Sequence, residues 1–232
     1  MTETKMFALV LYPGLTPLDL VGPLQVLSAL AAMKPEYEVA VVAEHTGPMQ
    51  TDTPVRLAAS HRFEDVPEPF ALLVPGGQLP TIRAMTDETL LGYLRSAADG
   101  AQIVGSVCTG SLLLGAAGLL DGRKATTHWT FLEVLAGFGA TPQTRRWVED
   151  GRVVTAAGVS AGIDLALHLV DRFAGAEVAR TVQFVIEYDP QPPLGALNWD
   201  QAPRAEWAPL RDYALREGLA GHPDLYERLA GR

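Results

Sequence analysis

A chain of 232 residues, 48% of them hydrophobic, is long enough for one domain or one domain with a substantial tail, and it can bury a core without metals or disulfides. The net charge of −9 and the lack of a basic run argue against nucleic acid or an anionic membrane surface as partner. A single cysteine excludes an internal disulfide and fits a reducing compartment.

Taken in chain order, apolar runs of strand length alternate with longer amphipathic runs. MTETKMFALVLYPG holds one Lys ahead of an apolar run too short to cross a membrane, with no small-residue cleavage pattern. Its segment 5–12 is expected as a buried first strand, ended by Pro13-Gly14, and the protein is expected in the cytoplasm. A helix is expected over 24–33 with Pro23 in its first turn, then a strand over 37–43 and a small hairpin or edge structure within 47–59. FALLV at 70–74 is a buried strand stopped by Pro75-Gly76-Gly77. A helix over 87–98 with Thr86 as N-cap, a strand over 102–107 and a helix over 109–117 closed by Gly118 follow. Residues 128–137 are expected to be helical, 144–148 and 152–156 to flank a Glu149-Asp150-Gly151 hairpin turn, and 159–173 and 176–187 to be helices. The proline-rich stretch 189–203 is expected as a loop and 205–230 as one or two amphipathic helices. This alternation implies a mainly parallel central sheet with helices on both faces, the main domain over 1–203 and a C-terminal helical extension over 204–232.

In such a sheet the ligand site lies at the carboxyl ends of the strands, and three of those ends carry unusual residues. The first is Cys108 in GSVCTGS, where a buried strand turns directly into a helix, as in the nucleophile elbow of hydrolases. Free N–H groups and the positive end of the helix dipole there favour a thiolate. The plainer alternative is a buried cysteine acting as a small hydrophobe. The second is Asp19, alone among apolar residues after the first strand. Either it caps a helix or it projects into the crevice, where low dielectric and a nearby thiolate would keep it protonated as an acid/base partner. The third is Gly76-Gly77, either an ordinary turn or a pair of backbone donors for an oxyanion. His128 is a candidate for a Cys–His pair, or else a capping or surface histidine. The histidines show no ligand spacing, so no metal site is expected.

The segments LDLVGPLQVL (18–27), LLVPGG (72–77), GSVCTGSLLLGAAGLLDGRKATTHW (105–129), AAGVSAGIDLALHLV (156–170) and VQFVIEYDPQPP (182–193) together resemble the ThiJ/PfpI superfamily. These are flavodoxin-like relatives of class I glutamine amidotransferases, and within them the isonitrile (isocyanide) hydratase branch is most similar. The resemblance implies a flavodoxin-like three-layer sandwich, Cys108 as nucleophile, Asp19 as acid/base residue and Thr109 tuning the thiolate. Backbone groups near Gly76, Gly77 and Thr109 would face the reacting group, and Thr16 and Gln78, with Leu15, Val159 and Ser160, would line the pocket. It further implies hydration of a small-molecule isonitrile to an N-substituted formamide, with no cofactor and a homodimer. Asp19 stands where other members carry Glu. The elbow segment also resembles the sensor domain of AraC-type regulators, but fewer than about thirty residues follow Pro203 and none form a basic recognition helix, so DNA binding is not expected. A redox or small-molecule sensor without turnover, and glyoxalase-like hydrolysis of α-ketoaldehydes, are the competing expectations.

Overall fold

The computed structural model describes residues 4–230. The outer ends of the two expected segments, 1–3 and 231–232, lie outside the described residues. The chain runs β1 (Lys5–Val10), α1 (Pro17–Met33), β2 (Tyr37–Ala43), β3 (Met49–Gln50), β4 (Arg56–Leu57), β5 (His61–Arg62) and β6 (Ala71–Val74). It continues with α2 (Leu79–Ala84), α3 (Glu88–Gly100), β7 (Ile103–Val107), α4 (Gly110–Ala116), β8 (Lys124–Ala125), β9 (Thr141–Pro142), β10 (Trp147–Asp150) and β11 (Val153–Ala156). The helices α5 (Ala161–Ala174), α6 (Ala176–Val185), α7 (Arg204–Gly218) and α8 (Pro223–Ala230) complete it.

The main sheet has seven strands in the order β10-β11-β7-β6-β1-β2-β5. All its pairings are parallel except β10–β11, whose hairpin turns at Gly151 with φ 66°. The central strands β6, β7 and β11 are buried at every residue, as strands covered on both faces must be. Helices α1, α5 and α6 pack on one another over one face, while α2, α3, α4, α7, α8 and the tight-turned segment Trp129–Phe138 pack together over the other. This is the α/β flavodoxin-like sandwich expected from the alternation of strands and helices.

The element boundaries differ from expectation where two residues compete for one role. Helix α1 starts at Pro17, not Leu24, so Asp19 lies inside its first turn and Pro23 in its interior. Both prolines suit a first turn, and only Pro17 takes it. Pro23, with no N–H, leaves the Asp19 carbonyl without its helical donor. Asp87, not Thr86, caps α3, accepting from the N–H groups of Thr89 and Leu90. Residues 129–138 wind as a tight 3-10 helix rather than an α-helix, and it ends on Gly139 at φ 78°. The 47–59 segment is a short hairpin of β3 and β4.

No described helix is long and apolar enough to cross a membrane. The C-terminal helices are tied to the main body: α7 packs on α2 and α8 on the 129–138 segment, and they bury Leu215, Leu219 and Leu229 almost completely. Truncating such a buried leucine loses its transfer energy and leaves a cavity. Leu215→Ala is expected to lower stability by about 3 kcal/mol, measured by urea unfolding, against less than about 0.5 kcal/mol for the exposed Leu210→Ala control.

Candidate active site

Strands β11, β7, β6 and β1 are neighbours, so the segments leaving their carboxyl ends, 157–160, 108–109, 75–78 and 11–16, meet along one edge. Cys108 stands at the centre of that edge. Its φ of 57° lies in the left-handed region, unfavourable for an L-residue by about 1–2 kcal/mol. Four hydrogen bonds hold it there. Its N–H is shared between the Ala156 and Ala157 carbonyls, at 3.1 Å each, and its own carbonyl accepts from Thr127 Oγ1 at 2.9 Å and Ser111 Oγ at 3.3 Å. The turn is also closely packed. A Cβ on Gly76 would strike the Thr109 amide, and one on Gly110 would strike the Val74 carbonyl.

The thiol is 4% exposed. Burial pushes its pKa up, and the Asp19 charge pushes in the same direction; the N–H groups of Val159 and Thr109, which face the sulfur, pull it down. The helix terminus alone therefore does not leave a standing thiolate, as its position suggested, because burial outweighs it. Val159 presents its N–H from a backbone of φ 28°, strained for a β-branched residue.

Asp19 is 1% exposed. One carboxyl oxygen, Oδ2, accepts from the Gly76 N–H at 3.1 Å, while Oδ1 is buried without a conventional hydrogen-bond partner. Burial raises its pKa from 3.8 to about 7. The neighbouring Cys108 thiol and the Gly76 N–H oppose that rise, and the charge of Asp52 adds to it. Asp19 caps nothing. It projects from α1 to the elbow as a carboxyl that can hold or release a proton near neutrality.

The surrounding residues hold these two in place. Thr109 Oγ1 accepts from the Gly77 N–H at 2.9 Å and donates to the Gly77 carbonyl at 2.6 Å, locking the glycine turn to the elbow. The Gly76 and Gly77 N–H groups are thus engaged by Asp19 and Thr109 and are not free oxyanion donors; Val159 and Thr109 supply the N–H groups at the sulfur. Thr16 donates its N–H to the Gly76 carbonyl at 2.9 Å and its hydroxyl to Asp52 at 2.5 Å. Gln78 sits at the start of α2, with its side chain toward solvent. His128 does not reach Cys108. Its Nδ1 caps the 129–138 segment at Thr130, and burial lowers its pKa. No group of three or more His, Cys, Asp or Glu side chains able to hold a metal assembles among the described residues.

The roles of four contributors carry no sequence signal, although Val159 is itself expected to line the pocket. Tyr12 pins the 75–77 turn through its hydroxyl, 2.9 Å from both the Pro75 carbonyl and Thr81 Oγ1. Asp52 arrives from the β3–β4 hairpin, Thr127 reaches the Cys108 carbonyl, and Val159 acts through its amide. A backbone donor has no residue-type signature, and the other three are brought in by tertiary contacts.

The family model described as "DJ-1/PfpI family" matches residues 5–172. The chain is 43% identical over 195 residues to an isonitrile hydratase of Pseudomonas putida, covering 84% of this chain and 83% of that one. It is 30% identical over 185 residues to the HTH-type transcriptional regulator CdhR of Pseudomonas aeruginosa, covering 78% of this chain and 54% of the regulator. Among solved structures it is similar to a ThiJ/PfpI family protein from Pseudomonas syringae, with 35% identity and a TM-score of 0.84 over 100% of this chain and 92% of that one.

A carboxyl whose pKa is raised by folding destabilises the fold once it ionises. The stability it allows is complete below about pH 4, declines as the pH rises and is lost above about 7. Asp19→Asn is accordingly expected to be more stable than wild type at pH 8, by at most about 4 kcal/mol, with the gain closing toward pH 4. Urea unfolding at pH 4.5, 6 and 8 measures this.

Proposed function

This chain belongs to the DJ-1/PfpI family, and we propose that it hydrates isonitriles to N-substituted formamides with Cys108 as nucleophile and Asp19 as the proton carrier. The carrying observation is the pairing at the elbow. A cysteine held in a strained turn faces a buried carboxyl whose pKa lies near 7 and whose Oδ1 is unpartnered. Similarity to the Pseudomonas putida isonitrile hydratase supports the choice of substrate.

An isonitrile carbon has a lone pair and takes both a proton and a nucleophile. Asp19, ionised, accepts the Cys108 proton. The Val159 and Thr109 N–H groups meet the sulfur charge that forms, and transfer of the proton removes the Asp19 charge that opposed it. The carboxylic acid then protonates the isonitrile carbon as the C–S bond forms, giving the thioimidate R–N=CH–S on Cys108. Asp19, again a carboxylate, takes a proton from water as the water oxygen adds to that carbon, and passes the proton to nitrogen. Asp19 then takes the hydroxyl proton and gives it to sulfur as the C–S bond breaks, releasing R–NH–CHO and the Cys108 thiol. No cofactor enters any step. Thr109 is a positioning residue that fixes the glycine turn carrying the Asp19 partner. The homodimer belongs to the same reading; Phe184, Val185 and Leu194 give it exposed apolar surface.

A peroxide-sensing role is less well supported, since a thiol this buried and this weakly acidic is a poor target for oxidation.

Purified protein is expected to convert phenyl isonitrile to formanilide, followed by ultraviolet absorbance. Cys108→Ala and Asp19→Asn should each lower kcat/KM by at least about a hundredfold. Rapid alkylation of Cys108 without turnover would overturn the reading. The reactive pair shares one proton, so the second must leave first. The kcat/KM of wild type should rise as the pH passes through about 7, where Asp19 ionises, and then level.

A further inference from the structure

A cavity of about 380 Å³ opens beside the elbow, within the size range of small-molecule sites. Its inner end belongs to the site already described. Thr127 holds the Cys108 carbonyl, Val159 faces the sulfur with its N–H, and Leu18 precedes Asp19 in the chain. Its outer wall comes from elsewhere: Trp129 and Leu132 of the 3-10 segment, and Leu197 and Trp199 of the proline-rich segment between α6 and α7. Leu18, Leu197 and Trp199 are 41, 74 and 44% exposed, so the apolar lining is left to water. An apolar ligand seated there would cover it.

The charged groups around this cavity are all of one sign. Arg145, Arg146 and Arg204 line it, and no carboxylate among the described residues does. Arg146 is engaged by Asp164 at 2.7 Å. Arg145 and Arg204 have no carboxylate partner among the described residues; Arg204 makes only a 3.5 Å contact to the Trp199 carbonyl. His128 also lines the cavity, with its Nδ1 engaged by Thr130. On a chain of net charge −9, two arginines without a carboxylate partner among the described residues, Arg145 and Arg204, beside one apolar cavity form a local field that favours an anion.

Resting on the isonitrile reading, we propose that this cavity receives the substituent of the substrate, and that the substituent is an aryl or branched apolar group ending in a carboxylate held by Arg145 and Arg204. The apolar body lies between the Leu18, Trp129 and Trp199 side chains, and the carboxylate emerges at the arginine mouth. A guanidinium suits that end because it offers paired donors to two oxygens.

The test uses the full chain and two product formamides that differ only in the anion, formanilide and 4-formamidobenzoate, so binding is read without turnover. Calorimetry is expected to show 4-formamidobenzoate binding about tenfold tighter, with the advantage shrinking in high salt. The Arg145→Ala/Arg204→Ala double variant should reduce the advantage to less than about twofold, the Lys/Lys double variant should restore part of it, and Trp199→Ala should weaken both ligands alike. Equal binding of the two formamides by wild type, or an advantage that survives the double alanine variant, overturns the proposal. The hydration reading is separated by turnover of phenyl isonitrile and 4-isocyanobenzoate. Turnover of both with no preference for the carboxylate in binding or KM sinks the subsite alone. Loss of turnover for both, with the binding preference intact, sinks the hydration and leaves an anion-bearing ligand site.

Discussion

Cys108 occupies a left-handed conformation that an L-residue reaches only against a penalty, and much of the surrounding structure exists to hold it there. The penalty is about 1–2 kcal/mol. The opposing forces are the shared N–H bond to Ala156 and Ala157, the Thr127 and Ser111 bonds to its carbonyl, and two glycines that let the β6 turn and the start of α4 touch. The anchors come from the start of α4 itself, the end of β11, the segment at Thr127 and the turn after β6, so the turn is held by the sandwich as well as by its own helix. The sulfur held in this turn meets Asp19 of α1, the Val159 amide of the β11–α5 loop and the Thr109 amide at the start of its own helix.

Burial sets the chemistry of that meeting. It raises the pKa of both the thiol and the carboxyl, so neither group is ionised cheaply, and above about pH 7 the pair holds a single proton. The same burial that lets Asp19 carry a proton at neutral pH makes its ionised form a liability to the fold. Under the proposed hydration, stability is yielded at the place where reactivity is needed. The 3-10 segment and the proline-rich segment then add a wall of apolar surface and arginines beside the elbow, which in the proposed reaction bears on what is attached to the reacting group.

Sequence and structure agree where one residue pattern admits one structure. The strands expected at 5–12, 70–74 and 102–107 are legible as mostly apolar runs and form over 5–10, 71–74 and 103–107, and the strand–Cys–helix junction follows from them. They part where two residues fit one role. Pro17 and Pro23 both suit a helical first turn, and Thr86 and Asp87 both suit a cap; tertiary contacts chose between them. The glycine pair at 76–77 was legible as a close approach, but the thing approached, Thr109, was not, and so the donors there were given to a ligand rather than to Asp19 and Thr109.

What the sequence determined by itself was the sandwich, the parallel order implied by its alternation, and the placing of Cys108, Asp19 and Gly76-Gly77 at strand ends. Those follow from local periodicity and from turn residues, whose physical effects act within a few residues. What only the tertiary structure decided was the burial that raises Asp19 to about 7, the Val159 amide at the sulfur, the withdrawal of His128 into its own cap, and the joining of residues 18, 129, 145, 199 and 204 around one cavity. Desolvation and long-range contact depend on what lies beside a residue in space, and residues nearly two hundred positions apart become neighbours only when the sheet closes between its helices.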